Sequence, residues 1–157
     1  KGDGAAFLIY FPVCRNRGEA WEETRPDLAV EFGTEQVLLV DDDKKVAIMH
    51  THMLELLGYE VTCFTDSSTA LSFFAENPKK FDVVITDLTM PDLSGFDLAK
   101  KMVEMNPALP IILCTGLGDS VERGGDDAGC VQGFLSKPVE IKALSFTLRR
   151  LLDKDCL

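Results

Sequence analysis

Val37-Leu38-Leu39-Val40-Asp41-Asp42-Asp43, residues 37–43, is the stretch that decides the fold. Four apolar residues run without interruption and stop abruptly at three acids. A strand with one wet face alternates apolar and polar residues, whereas a short unbroken apolar run suits a parallel strand covered on both faces. The acids then mark the point where the chain leaves the interior. Asp43 has the residue type that caps a following helix.

Working outward from that run, the same grammar repeats. A helix is expected after Asp43, with Val46, Met49, Met53, Leu56 and Leu57 on one face and Gly58 ending it. A second strand follows at 61–64, and a helix over 67–76 closed by Asn77-Pro78. A third strand is expected at 82–86, rich in β-branched residues. A loop with Pro91 and Gly95 leads into a helix over 96–105, then to strands at 110–115 and 131–135. Pro138 suits the first turn of a last helix carrying Ile141, Leu144, Leu148, Leu151 and Leu152 inward. Between strands four and five, Gly116, Gly118, Gly124, Gly125 and Gly129 crowd the place of a helix. Each interior glycine costs a helix about 1 kcal/mol, so a short or mobile helix is expected there.

Five strands alternating with helices imply right-handed crossovers and an α/β parallel sheet with helices on both faces. In such sheets chemistry collects at the carboxyl ends of the strands. Asp41, Asp42 and Asp43 follow strand one, Asp87 follows strand three, Thr115-Gly116 follows strand four and Lys137-Pro138 follows strand five. Carboxyl groups brought together repel unless a cation joins them or some are protonated. Oxygen ligands without His or Cys suit Mg2+. Such a site can neutralise an incoming phosphoryl group while a carboxylate attacks it, with Lys137 supplying charge and Thr115 a donor.

Val-Leu-Leu-Val-Asp-Asp-Asp at 37–43, Asp-Leu-Thr-Met-Pro-Asp-Leu-Ser-Gly at 87–95, Cys-Thr-Gly at 114–116 and Gly-Phe-Leu-Ser-Lys-Pro at 133–138 resemble the receiver domain of two-component response regulators. The resemblance covers residues 36–153. It implies a flavodoxin-like, doubly wound five-stranded parallel sheet of order 2-1-3-4-5. It further implies that Asp87 is the phosphoacceptor and that Asp42, Asp87 and the Thr89 backbone carbonyl hold Mg2+. Asp41 would bind the metal directly or support it from behind. Thr115, Gly116, Phe134 and Lys137 take the switch and phosphate-binding places, and the Lys137-Pro138 bond is expected to be cis. In the family, side chains at positions 89 and 117 place the water that hydrolyses the phosphoryl group. Thr89 and Leu117 offer no acid, base or amide, so a long-lived phosphoryl group is expected.

The opening residues carry a second resemblance. Gly-Asp-Gly-Ala-Ala-Phe-Leu-Ile-Tyr-Phe-Pro, residues 2–12, is similar to the end of a histidine-kinase ATP-binding domain. Residues 13–35, charged and without a sustained period, read as a linker, and 154–157 as a tail. A kinase end, a linker and a receiver together resemble a bacterial hybrid sensor histidine kinase. The chain starts at Lys1 rather than Met, which fits a piece of such a longer polypeptide. The implied partners are a phosphohistidine domain, in cis or in trans, and a histidine phosphotransfer protein. The apolar segment 6–11, outside its native sheet, can pair with a second copy or lie on the receiver surface.

Composition limits the alternatives. The 157 residues are 46% hydrophobic and 27% charged, with a net charge of −10. That balance excludes a basic nucleic-acid surface, and no apolar run reaches the length of a membrane span. Five cysteines without C-x-x-C spacing read as reduced thiols of a cytoplasmic protein. Asp92 reads as a solvated loop residue. His50 and His52, two apart on one helix, make a poor metal pair and read as structural or exposed. Two other functions compete: a phosphorylation-independent interaction module of the same fold, and a Mg2+-dependent phosphatase with an Asp nucleophile. The intact Asp42, Asp87, Thr115 and Lys137 set speaks against the first. Thr89, standing where such phosphatases carry a second Asp, speaks against the other.

Overall fold

The computed structural model describes residues 30–116 and 129–153. Residues 1–29, the glycine-rich stretch at 117–128 where a short helix was expected, Cys14, Trp21, Leu117, Cys156 and the tail lie outside the described residues. The elements in chain order are β1 (Gln36–Val40), α1 (Lys44–Leu56), β2 (Glu60–Phe64), α2 (Ser67–Glu76), β3 (Val83–Asp87), α3 (Gly95–Met105), β4 (Ile111–Thr115), β5 (Gly133–Ser136) and α4 (Ile141–Leu152). All strand pairings are parallel, in the order β2-β1-β3-β4-β5, as the resemblance implied.

Unbroken apolar strands serve two cores at once, because successive side chains leave opposite faces. Val37, Leu39, Val83, Ile85, Ile112 and Leu135 face α1 and α4. Leu38, Val40, Val84, Ile111 and Leu113 face α2 and α3 with Phe74, Leu98 and Met102. Each large side chain wholly removed from water contributes roughly 1.5–3 kcal/mol before chain entropy is counted. The two layers fix the sheet, and the sheet fixes the strand ends where chemistry collects.

The helix ends follow local rules. Asp43 caps α1 by accepting from the backbone N–H groups of Lys45 and Val46, at 2.8 and 3.4 Å. Asp66 and Ser94 cap α2 and α3 in the same way. No helix among the described residues is long and apolar enough to cross a membrane.

Several expectations shift. Of the expected inward face of α1, Leu57 is buried and Met53 packs against the core, whereas Met49 and Leu56 are exposed and Ala47, His50 and Leu54 complete the buried face. The spacing i, i+3, i+7, i+10 is the expected one displaced by a single residue, about 100° of helix rotation. Periodicity gives the repeat, but contact with the sheet selects the phase. Strand β5 begins at Gly133 rather than 131, with Gly129 and Cys130 in a tight turn before it. Helix α4 begins at Ile141 after Glu140, so Pro138 stands in the preceding loop rather than in its first turn.

Residues 30–35, within the segment read as linker, are held against the domain. The Glu31 amide donates to Ser145 Oγ at 2.7 Å, and Ser145 Oγ donates back to the Glu31 carbonyl at 2.8 Å. The Gly33 amide donates to the Leu57 carbonyl, and Val30 packs on the α1–α4 core. Arg149 pairs with Glu35 at 2.6 Å while donating to the Tyr59 hydroxyl at 2.9 Å.

Candidate functional site

The carboxyl ends of β1, β3 and β5 bring Asp41, Asp42, Asp87 and Lys137 together. One carboxylate oxygen from each of the three Asp residues lies within 4.8 Å of the others. Asp41 is 1% exposed and Asp87 9%, while Asp42 faces solvent. Lys137 Nζ sits between two of the acids, 2.9 Å from Asp87 Oδ2 and 3.2 Å from Asp41 Oδ2.

Backbone contacts set these positions. Asp41 follows Val40 out of β1, its amide donating to the Phe64 carbonyl of β2 at 3.1 Å. Its Oδ1 accepts from the Asp43 amide at 3.1 Å. Lys137 donates its amide to the Thr115 carbonyl at 2.7 Å, tying the β5 exit to the β4 exit. The Lys137-Pro138 bond is cis, as expected. After Asp87 the chain turns through Leu88, whose carbonyl accepts from the Gly95 amide at 3.0 Å. A side chain at Gly95 would place its Cβ 2.2 Å from the Asp87 carbonyl oxygen, so only glycine lets α3 start this close to the acid. In that loop Asp92 is exposed, with a φ of 64°.

The remaining sequence-selected residues surround the acids. Asp87 pairs in register with Cys114, so Thr115 lies one residue further along the adjacent strand, half-buried, with half-buried Gly116 after it. Thr89 is exposed two residues beyond Asp87. Phe134 is half-buried in β5 and packs against the α2–α3 core. Pro138 is exposed beside the site.

Electrostatics follow from this crowding. Burial drives the Asp41 carboxyl above the usual carboxylate range, and the Lys137 ammonium only partly offsets it. Burial works to lower the Lys137 pKa, but its bonds to Asp87 and Asp41 outweigh it and the ammonium is held above its ordinary value. Three carboxyl groups, each offering oxygen ligands, against one ammonium fit a hard divalent cation. A lysine already drawn between two of the acids shows that the site favours positive charge.

One group at the site was not selected from the sequence. His50, 3% exposed on the inner face of α1, turns its Nδ1 toward Asp41 Oδ2 at 3.9 Å. Burial lowers its pKa, and its Nε2 has no hydrogen-bond partner among the described residues. The signal that could have found it is the one-residue displacement of the α1 pattern, since Ala47, His50, Leu54 and Leu57 repeat as regularly as the set first read. His52 is exposed.

The chain is similar in sequence and fold to known proteins. A probable transcriptional regulatory protein of Mycobacterium tuberculosis, TcrX, is 36% identical over 125 residues, covering 75% of this chain and 50% of its own. The sensor kinase CckA of Brucella abortus is 28% identical over 160 residues, covering 98% of this chain and 17% of its own. The chain therefore spans half or less of the length of these two relatives. The crystal structure of a response regulator receiver domain protein from Clostridium thermocellum superposes with a TM-score of 0.72 at 30% identity, covering 78% of this chain and 97% of that one. Residues 37–149 match the family model described as the response regulator receiver domain, and with that match over most of its length the chain belongs to the receiver domain family of two-component systems.

Proposed function

We propose that Asp87 accepts a phosphoryl group from a kinase phosphohistidine. The observation that carries this reading is the placement of Lys137 Nζ 2.9 Å from Asp87 Oδ2, within a cluster of three carboxyl groups at the strand ends. An Asp87 carboxylate oxygen attacks phosphorus, the phosphorus–nitrogen bond of the donor breaks, and the departing imidazole keeps the electron pair and takes up a proton. Asp42, Asp87 and the Thr89 carbonyl, with Asp41 directly or behind them, would hold a Mg2+ ion, which would supply charge neutralisation for the phosphoryl oxygens. Lys137 carries a point charge to the same oxygens. Thr115 then offers its hydroxyl to the phosphoryl group, with Gly116 leaving room beside it, and Phe134 repacks as the β4 end moves inward. Thr89 gives no acid, base or amide to place a hydrolytic water, so the phosphoryl group is long-lived.

The chain fits the receiver part of a hybrid sensor kinase. What supports this origin is that the match to the sensor kinase extends over 98% of the chain, including most residues before β1, whereas the match to TcrX covers 75%. On this reading the donor is a phosphohistidine domain of the same or a neighbouring chain, and a histidine phosphotransfer protein is the acceptor.

Titration with beryllofluoride and Mg2+, a phosphoryl mimic, tests the assignment. Amide spectra of the wild type are expected to shift around Thr115, Gly116 and Phe134, and those of Asp87→Asn to stay unchanged. Equal responses from both proteins, or from neither, would remove Asp87 as the phosphoacceptor.

A further inference from the structure

The Asp41 carboxylate is almost wholly buried, and its donors are few. Oδ1 takes the Asp43 amide. Oδ2 takes Lys137 Nζ at 3.2 Å, the same nitrogen that lies 2.9 Å from Asp87. A lysine drawn onto a phosphoryl group at Asp87 must loosen its hold on Asp41. A second polar group on the Oδ2 side is His50 Nδ1, at 3.9 Å.

His50 is an unusual choice for simple packing. It stands among Ala47, Leu54 and Leu57 on the inner face of α1, 3% exposed, where an aliphatic residue would fill space without burying a ring nitrogen that has no partner. A buried acceptor or donor left alone gives up its hydration with no bond in return. A neutral imidazole has one N–H, and the nitrogen that carries it is set by the partner available. Here the available partner is a carboxylate on the Nδ1 side, with no hydrogen-bond partner for Nε2 among the described residues. The 3.9 Å gap is roughly 1 Å longer than a hydrogen bond, a distance that small side-chain shifts close.

We propose that His50 is a positioning residue for the phosphorylation site, its Nδ1–H taking over Asp41 Oδ2 when Lys137 turns to a phosphoryl group on Asp87. This rests on the phosphoacceptor reading of Asp87. Asp41 would otherwise lose its Oδ2 donor at the moment the site fills with negative charge, with the Asp43 amide on Oδ1 left to hold it. Groups that orient the residues around a metal often change affinity by 10–100-fold without touching the ion.

The test uses H50L and H50N in the full 157-residue chain. Leu removes the donor and the orphaned nitrogen together, while Asn keeps an N–H near the Nδ1 position. Metal-free H50L is expected to match or exceed the wild type in urea midpoint, yet to bind beryllofluoride with Mg2+ about tenfold more weakly. H50N is expected to bind within about threefold of the wild type, since its amide can still donate. A wild-type measurement covers the case in which neither variant folds: ring nitrogen spectra of the beryllofluoride adduct should show His50 with its proton on Nδ1. An Nε2-protonated ring in the adduct overturns the role, as does an H50L that binds as tightly as the wild type. An H50N as weak as H50L overturns it too. These results would leave Asp87 standing as phosphoacceptor. A wild type that forms no adduct would instead remove the Asp87 reading, and His50 with it.

Discussion

Lys137 Nζ lies 2.9 Å from Asp87 Oδ2, joining the exits of two strands that are not neighbours in the sheet. Strand β4 stands between them, and the Lys137 amide bonds to the Thr115 carbonyl at its end. A change at Asp87 is therefore felt at the ends of β3, β4 and β5 together, through one side chain and one backbone bond.

The buried acid beside this pair costs stability when no metal is bound. Burial raises the Asp41 pKa above its ordinary value of 3.8, so the folded protein binds a proton there more readily than the unfolded chain. At pH 7 the ionised carboxylate thus disfavours folding, and the penalty shrinks as pH falls through the raised value toward 3.8. Asp41→Asn is expected to raise the melting temperature of the metal-free protein at pH 7 and to lose that advantage near pH 3.8. Melting curves across this range in a chelator check it, and a variant less stable at pH 7 than the wild type contradicts it.

Mg2+ should stabilise the wild type by mass action, roughly 1.4 kcal/mol at tenfold its dissociation constant. Asp42 faces solvent, so Asp42→Ala is expected to change metal-free stability by less than about 0.5 kcal/mol. It should nevertheless abolish the Mg2+-dependent rise in melting temperature. A variant that keeps the full rise would remove Asp42 from the ligand set.

Ser145, 1% exposed, makes both hydrogen bonds to Glu31, so Ser145→Ala removes two partners at once. The expected loss is about 1–3 kcal/mol, with faster amide exchange at Glu31 and Gly33 and little change in strand β3. Exchange at Glu31 as fast in the wild type as in the variant would show that residues 30–35 are not held in solution.

Cys114 is buried in β4, and burial pushes its thiol up to about 12. Cys63 is exposed on edge strand β2. At pH 8 iodoacetamide should modify Cys63 well before Cys114, which should react only after unfolding, because the thiolate is the nucleophile. Mass mapping of the alkylated protein reads the order directly.

The site was legible where chemistry and strand position coincide. Asp41, Asp42, Asp87, Thr115 and Lys137 each stand just past an apolar run, so their grouping follows once the runs are taken as parallel strands. His50 had no such marker, because its closeness to Asp41 comes from the rotation of α1 against the sheet. The start of α4 was misplaced because Pro138 is a good first-turn residue in general, while here it belongs to the turn that aims Lys137.

By itself the sequence determined the strand runs, their parallel arrangement and the acids at their ends, since burial on both faces demands unbroken apolar runs and leaves charge only at the exits. Tertiary structure alone decided the phase of α1, the approach of His50 to Asp41, the sharing of Lys137 between two carboxylates and the seating of residues 30–35 on α1 and α4. These depend on packing distances of a few ångströms between elements far apart in the chain, and local pattern carries no measure of such distances.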